Sequence, residues 1–361
     1  MLAMKILLTH NNRFFNRFLS VWMLLGLSAL FVATELLHAE QVTADKERII
    51  RTVRFLSEEN FPRVATHGNK EKTIDYIIEA MTAAGFEAIR DEFALTQILG
   101  NSDFSLPPFE RNKESVEIAF QRITYTNIHA LKKGKTDKRI IIGAHYDILP
   151  AYSPGADDNA SGVAVLIELA HLLRATPELN CDIEFVSYDM EEVGLWGSRF
   201  HARKLKNQRV DVVCMICLDM LGYYSDEEHS QRYPFAAMSR LYGTRGDFLA
   251  MVGRQTDARL MTVAQRAFRK ATTLKIQSFP TPNLLEPLFA RSDHAPFWWE
   301  GYPALFFTDT ADFRNRHYHR ATDTWDTLDY DRLAQVPVGL YHVILAIDAG
   351  IDGRPPAAEG R

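Results

Sequence analysis

Four short apolar segments of this chain have the length and composition of buried β-strands. They read RIIIGAH (139–145), IEFVSYDM (183–190), VVCMICLDM (212–220) and PALFFT (303–308). Continuous apolar runs rich in β-branched or aromatic residues are typical of parallel strands that are covered on both faces. Helix-like segments separate these runs. The sequence therefore predicts an α/β fold: a three-layer sandwich with a mostly parallel, mixed central sheet and helices on both faces.

Outside these runs, the spacing of apolar residues predicts helices in some segments and irregular structure in others. Helical spacing is found in 44–60, 70–84 and 163–173. The segment 95–113 contains two adjacent prolines and no clear period, so we expect a loop or an insertion there. Regularity also fades over 223–287, where we expect loops and helices covering one edge of the sheet.

The charge distribution argues against a nucleic-acid partner. The chain has 361 residues, of which 47% are hydrophobic and 24% are charged, a balance typical of a globular protein with a sizeable core. Its 41 basic and 46 acidic residues give a net charge of -5 without a long block of one sign. A small substrate is therefore expected in preference to a nucleic acid.

The N-terminus has the layout of an export signal. Lys5, Arg13 and Arg17 precede an apolar run over 18–33, and the first acidic residue is Glu35. The run is shorter than the ~20 residues that a membrane-spanning helix needs. We therefore expect a signal peptide or N-terminal anchor over 1–39 and a catalytic domain over 40–361. The protein is expected to be exported, periplasmic or secreted, and membrane-associated only if the segment is not cleaved.

The three cysteines do not form a disulfide framework of the kind found in small secreted proteins. Cys214 and Cys217 imitate a C-x-x-C motif, but they lie in a predicted strand, where residues three apart point to opposite faces. Buried, unpaired cysteines are expected. A bridge from Cys181 to a neighbouring strand is the alternative.

Acidic residues or histidines follow the predicted strands one after another. The successive segments are GAHYD, DMEE and CLDM, and SDH precedes the last apolar run. Ligands of open α/β sheets bind beyond the carboxyl ends of the strands, so these side chains should meet at one edge. They are joined by the adjacent acids of GADDNASG, residues 155–162.

Two imidazoles and three carboxylates from these segments suit Zn²⁺ or a similar first-row divalent ion. Three buried carboxylates would repel one another, whereas two divalent ions and a bridging hydroxide bring the total charge to zero. Two ions need one shared carboxylate, a task that we assign to Asp157, while Asp158 turns the chain and caps the following helix. The predicted ligands are His145, Asp157, Glu192, Asp219 and His294.

Two more acids receive catalytic or supporting roles. Glu191 is free of the ions in this scheme, so it can take a proton from the bridging water and pass it to a leaving amine. Asp147 lies two residues after His145 and can accept the other N–H of that imidazole. The sequence leaves open whether His317, His319 and Asp323 line a substrate cleft or are structural.

The same segments resemble the M28 family of zinc-dependent exopeptidases. The matching blocks are GAHYD, PGADDNASG, EEVGLWGS, LDMLGY and SDHAPFWWEGYPALFF, and the similarity extends over about 48–350. The resemblance implies two zinc ions held by the five ligands named above, with Asp157 as the bridge, Glu191 as general acid and base, and Asp147 as a supporting residue. It also implies a cis peptide between Asp157 and Asp158.

The family implies that a metal-bridging hydroxide cleaves peptides, most commonly by removing N-terminal amino acids. The substrate would be a peptide or an amino-acid derivative, and some members are carboxypeptidases. Glutaminyl cyclases share the fold but use a single zinc, and other members have lost their ligands and only bind. Because every ligand position here holds a competent residue, two-metal hydrolysis is the preferred interpretation.

Overall fold

The computed structural model describes residues 42–63, 69–94 and 124–350. The predicted export segment, 1–39, and the predicted loop or insertion, 95–113, lie outside these ranges. From Ala44 onward the described residues belong to one compact unit. Among them, no helix is both long and apolar enough to cross a membrane.

A mixed sheet of eight strands forms the centre of the described structure. The strands are β1 Ala88–Ala94, β2 Thr124–Lys132, β3 Arg139–His145, β4 Asp182–Tyr188, β5 Val212–Leu218, β6 Phe248–Arg254, β7 Lys275–Thr281 and β8 Ala304–Thr308. Their order is β1-β2-β4-β3-β5-β8-β6-β7. The central strands β4, β3, β5 and β8 are parallel, as are β6 and β7, whereas β1, β2 and β6 each run antiparallel to a neighbour. The predicted fold class is confirmed.

Helices cover both faces of this sheet. They are α1 Lys46–Arg54, α2 Lys70–Ala83, α3 Gly162–Arg174, α4 Trp196–Asn207, α5 Met238–Tyr242, α6 Ala258–Ala271, α7 Glu286–Phe289, α8 His294–Trp299, α9 Tyr330–Leu333 and α10 Gln335–Ala349. The helices α1, α2, α3, α6 and α10 contribute to the larger apolar core, while α4 and α8 pack on the opposite face. The predicted helix at 44–60 continues beyond α1 as a π-helical turn, Phe55–Glu59.

The cysteines confirm the alternation expected of a buried strand. Cys214 belongs to one core and Cys217 to the other, on opposite faces of β5. Both are fully buried, as is Cys181, and none of the three is in a disulfide. Neither a shared disulfide nor the alternative bridge from Cys181 is formed.

The expectation for 223–287 is wrong in part. This region contains β6, β7 and α6, which extend the sheet instead of only covering its edge. The strand β7 is a short edge strand, KIQSFPT, whose polar residues and proline hide the period of a buried strand. Such a strand is defined by its pairing with β6 and not by its own apolar pattern.

The register of the central strands brings three strand ends to one level. His145, the last residue of β3, pairs with Tyr188, the last residue of β4. On the other side of β3, Gly143 pairs with Cys217, next to the end of β5. The loops that follow these strands therefore start together at the carboxyl edge, where the predicted site residues lie.

Candidate metal centre

The end of β3 supplies the first imidazole of the site. His145 is almost fully buried, and its Nδ1 lies 3.1 Å from the carbonyl oxygen of Asp147 and 3.6 Å from the Asp147 carboxylate. The nearer acceptor for this imidazole is therefore the backbone carbonyl of Asp147 and not the predicted carboxylate. Its carboxylate instead accepts hydrogen bonds from the backbone N–H groups of Glu191, at 3.1 Å, and Glu192, at 3.3 Å. Asp147 thus joins the loop after β3 to the acidic turn after β4.

The adjacent acids in GADDNASG do not have their predicted roles. The carboxylate of Asp158 lies 3.4 Å from His145 Nε2 through one oxygen and 3.1 Å from His319 Nε2 through the other. Asp157 faces away from these imidazoles. Its carboxylate accepts hydrogen bonds from the backbone of Gly222, at 2.8 Å, and from Asn315 Nδ2, at 2.7 Å.

The prediction of Asp157 as the shared ligand is therefore wrong, and Asp158 occupies that position. The physical reason is that neighbouring side chains in a non-helical segment point in different directions, so only one of them can face His145. The cis peptide also lies one residue later than predicted, between Asp158 and Asn159.

The second imidazole of the site is His319, not His294. His319 Nε2 lies 3.1 Å from a carboxylate oxygen of Asp158 and 3.1 Å from one of Glu192. The ring of Tyr318 stacks on it, with 3.9 Å between centroids. His319 is about one third exposed, so this part of the site faces the solvent-accessible cleft.

His294 lies in an aromatic part of the core instead. It begins α8, its Nε2 bonds to the carbonyl of Phe289 at 2.9 Å, and its ring stacks on Phe306 with 4.6 Å between centroids. Burial lowers the pKa of His294 to about 3, so the imidazole is neutral. The prediction of His294 as a ligand is wrong because His294 is the first residue of α8, and its side chain packs into the aromatic core instead of facing the other ligands.

The five side chains that do converge form two groups that share one carboxylate. One group is His145, Asp158 and Asp219, and the other is Asp158, Glu192 and His319. Within each group, one potential ligand atom per residue lies within 4.8 Å of the others. Of the predicted ligands, His145, Glu192 and Asp219 are therefore brought together, and Asp158 and His319 complete the set.

Unsatisfied polar atoms test whether this set suits metal ions. His145 Nε2, Asp219 Oδ1 and His319 Nε2 are buried and make no hydrogen bond of good geometry to any described group. Buried polar atoms are normally hydrogen-bonded, so orphaned atoms that converge point to a missing partner. Imidazole nitrogen and carboxylate oxygen are ligands that Zn²⁺ accepts. The residues present therefore fit the zinc ions that the sequence predicts.

The pKa shifts of the surrounding groups also favour a bound cation. Burial and the neighbouring Asp158 raise the pKa of Glu192 to about 8. Burial lowers the pKa of His319, but Asp158 and Glu192 outweigh it and raise that pKa to about 10. Burial also raises the pKa of Glu191 well above its ordinary value, and nearby carboxylates add to the effect. Acidic charge exceeds what two imidazoles balance, which favours a bound cation.

A set of hydrogen bonds that sequence reasoning did not foresee fixes the backbone of the acidic pair. Asp323 accepts hydrogen bonds from the backbone N–H of Asp157, at 3.0 Å, and of Asp158, at 3.2 Å. Asp323 was one of the residues whose role the sequence left open, and the structure gives it this supporting position. His317, by contrast, is half-buried, and its Nδ1 lies 2.8 Å from the hydroxyl of Thr322.

The side chain of Arg63 holds the loop between His145 and Asp158 in place by hydrogen bonds. Its guanidinium is fully buried and donates to the carbonyls of Tyr146 at 2.9 Å, Leu56 at 2.9 Å, Pro154 at 2.6 Å and Gly155 at 2.5 Å. Burial lowers the pKa of Arg63 to about 10, and Asp323 is the carboxylate that opposes this effect most. The sequence does not predict this role of Arg63. Its acceptors are backbone carbonyls of segments that are distant in sequence, and no sequence motif marks such contacts.

A large cavity adjoins the convergent side chains. It has a volume of about 710 Å³ and includes Asp158, Glu191, Glu192, Asp219 and His319 in its lining. The remaining walls are largely apolar and include Val252, Leu288, Phe289, Trp299 and Phe306. Such a cavity can hold a sizeable apolar group next to the candidate centre.

Comparison with known families decides the affiliation of this chain. The family model described as Peptidase family M28 matches residues 127–343, which is more than half of the sequence. The chain belongs to peptidase family M28. Membership confirms the predicted resemblance and the prediction of a metallo-exopeptidase.

Two proteins of similar sequence are a bacterial protein and a fungal aminopeptidase. An uncharacterized protein, YfbL, of Escherichia coli (strain K12) is 36% identical over 311 residues, covering 82% of this chain and 87% of YfbL. Leucine aminopeptidase 1 of Emericella nidulans is 29% identical over 214 residues, covering 56% of this chain and 50% of that protein. The chain thus spans about half the length of that aminopeptidase.

Solved structures share the fold at low sequence identity. BSAP, a zinc aminopeptidase from Bacillus subtilis, has a TM-score of 0.63 at 19% identity, covering 84% of this chain and 95% of that one. A glutaminyl cyclase of Fimbriiglobus ruber has a TM-score of 0.59 at 18% identity, covering 85% and 97%. At these identities the likeness shows the fold alone.

Proposed function

We propose that this peptidase removes N-terminal amino acids from peptides with the help of two zinc ions. The observation that carries the proposal is the convergence of two ligand groups on one carboxylate, Asp158, beside a large apolar cavity. Family membership and the similarity to leucine aminopeptidase 1 of Emericella nidulans and to the Bacillus subtilis zinc aminopeptidase support it.

In this proposal His145, Asp158 and Asp219 would hold one ion, and Asp158, Glu192 and His319 would hold the other. Zinc bound there would polarise the scissile carbonyl and lower the pKa of a coordinated water to about 7. The stoichiometry of two ions is supported by the shared carboxylate and by the surplus of acidic groups over imidazoles.

Glu191 is the residue that would carry the proton. It lies in neither ligand group, yet its carboxylate is 4.0 Å from His145 Nε2 and lines the cavity. Its raised pKa suits a group that takes a proton from water and returns it to the leaving amine. The hydrogen bond from its backbone N–H to Asp147 fixes its position relative to His145.

The cavity suggests the class of substrate. Its apolar walls suit a large apolar side chain at the N-terminal position, while nearby Asp158, Glu191 and Glu192 suit the cationic amine. Three arginines also line it: Arg199, Arg232 and Arg291. Because guanidinium groups bind carboxylates, this observation favours a carboxypeptidase as the second candidate.

We also propose that the protein acts outside the cytoplasm. The support is the basic N-terminus followed by the apolar run over 18–33, the layout of an export signal. Fractionation of cells that produce the full chain would detect the protein in the periplasm or medium, and retention in the cytoplasm would contradict this part of the proposal.

Substrate profiling of the purified protein tests the proposed activity. Peptides with free or acetylated N-termini, a series of N-terminal residues, and a peptide with N-terminal glutamine should be compared. We expect release of apolar N-terminal residues, no cleavage of acetylated peptides, loss of activity with a chelator and recovery with Zn²⁺. Release of C-terminal residues from acetylated peptides would support the carboxypeptidase, and pyroglutamate formation without hydrolysis would contradict both hydrolytic candidates.

A further inference from the structure

A second cluster of possible metal ligands lies between the sheet and α4. It consists of His129 on β2, Glu184 on β4 and His201 on α4, all buried. His129 Nδ1 lies 2.8 Å from Glu184 Oε1, and His201 Nε2 lies 3.5 Å from the same oxygen. One potential ligand atom of each residue lies within 4.8 Å of the other two.

This cluster is separate from the candidate catalytic centre. Glu184 lies four residues before the end of β4, at Tyr188, which corresponds to about 13 Å along a strand. Its side chain lies on the face covered by α4, whereas the centre described above begins beyond the strand ends. Neither group of the catalytic centre includes a member of this cluster.

The outward-facing atoms of the cluster lie next to other polar groups. His129 Nε2 lies 3.5 Å from a carboxylate oxygen of Asp91, and His201 Nδ1 lies 3.0 Å from the Tyr188 hydroxyl. Arg139 donates to Glu184 Oε2 at 3.0 Å. Metal-binding histidines normally have their second nitrogen oriented in this way by a carboxylate or another polar group. The inward-facing atoms are Nδ1 of His129, Oε1 of Glu184 and Nε2 of His201.

These three inward atoms have the chemistry and spacing of zinc ligands. In a tetrahedral site with bonds of about 2.0–2.1 Å, ligand atoms are roughly 3.3 Å apart. The distances of 2.8 and 3.5 Å are close to that value.

We propose that His129, Glu184 and His201 bind a divalent transition-metal ion, with Zn²⁺ the best fit, and that this ion fastens α4 to β2 and β4. The helix begins at Trp196, shortly after the turn that carries Glu191 and Glu192, so the ion would steady the element behind that turn. The proposal does not depend on the proposed peptidase specificity or on the number of catalytic ions.

Cobalt binding in a variant without the catalytic ligands tests this site. The full chain carrying His145→Gln, Asp158→Asn and His319→Gln is stripped with a chelator and titrated with Co²⁺, whose visible absorption reports tetrahedral coordination. We expect one Co²⁺ per chain in this background and its loss when His201→Gln is added. The matched control is His342→Gln, a half-buried histidine on α10, which should leave Co²⁺ binding unchanged.

Two results would overturn the proposal: no tetrahedral Co²⁺ signal in the folded triple variant, or a signal that survives His201→Gln. If His201→Gln does not fold, the melting temperature of the triple variant with and without Zn²⁺ tests the proposal instead. Saturating Zn²⁺ should raise it by about 4 °C or more, because an ion that binds only the native state stabilises that state. An unchanged melting temperature would overturn the proposal as well.

Discussion

Asp323 provides the sharpest test of how the acidic pair is positioned. Its two carboxylate oxygens accept the backbone N–H groups of Asp157 and Asp158 at 3.0 and 3.2 Å, and its side chain is fully buried. Asp323→Ala removes both acceptors. Asp323→Asn keeps the shape of the side chain but replaces one acceptor by an N–H₂ donor.

The hydrogen bonds set the size of the expected effect. A buried donor left without an acceptor costs about 1–3 kcal/mol. Two such donors in Asp323→Ala should therefore lower the free energy of unfolding by about 3 kcal/mol, allowing for water that enters the space. Asp323→Asn leaves one donor unsatisfied and should cost about half as much. Because the Asp158 backbone is no longer held, kcat/KM should fall about 10- to 100-fold in both variants.

Urea unfolding and peptide hydrolysis measure these two effects. Asp326→Ala is a matched control, since Asp326 is an exposed acid three residues away, and its effect on stability should stay within about 0.5 kcal/mol. If Asp323→Ala is as stable and as active as the parent protein, then Asp323 does not position the pair. A loss of stability without a loss of activity would refute the connection to Asp158.

Three further predictions concern the candidate centre. Asp158→Asn should lower the zinc content and abolish hydrolysis, whereas Asp157→Asn should retain zinc; equal zinc loss by elemental analysis would contradict Asp158 as the shared ligand. Glu191→Gln should lower kcat at least 10³-fold with zinc retained, and near-normal turnover would exclude Glu191 as the proton carrier. His294→Gln should keep the zinc content of the parent. Because the unfolded imidazole titrates near 6.5 and the folded one near 3, His294 contributes stability that is lost as the pH falls below 6.5. The decrease in unfolding free energy between pH 7 and 5 should therefore be about 2 kcal/mol smaller in His294→Gln, and an unchanged decrease in urea titrations would contradict this.

The central strands could be predicted because their environment is uniform. Segments such as RIIIGAH and VVCMICLDM are buried on both faces by helices, so nearly every side chain must be apolar. The edge strand β7 could not be predicted in the same way. Its residues range from buried to exposed without a regular period, and its conformation depends on pairing with β6.

The sequence predicts which segments form the site. It does not predict which side chain of each segment faces the other ligands. His145, Glu192 and Asp219 lie at or just after strand ends, where direction is set by the sheet. Asp157 and Asp158 are two identical residues in an irregular segment, so the sequence does not show which of them faces His145. His319 lies in a loop after β8, far in sequence from the other ligands, and only the folded chain brings it to Glu192.

The sequence by itself determined the α/β class, the edge of the sheet at which chemistry occurs and the family, because these follow from local patterns of apolar and ligand-type residues. Only the tertiary structure decided between Asp157 and Asp158 and between His294 and His319. Both choices depend on which way a side chain turns from a short irregular segment. That direction is fixed by contacts with distant residues, such as Asn315 for Asp157 and Phe306 for His294.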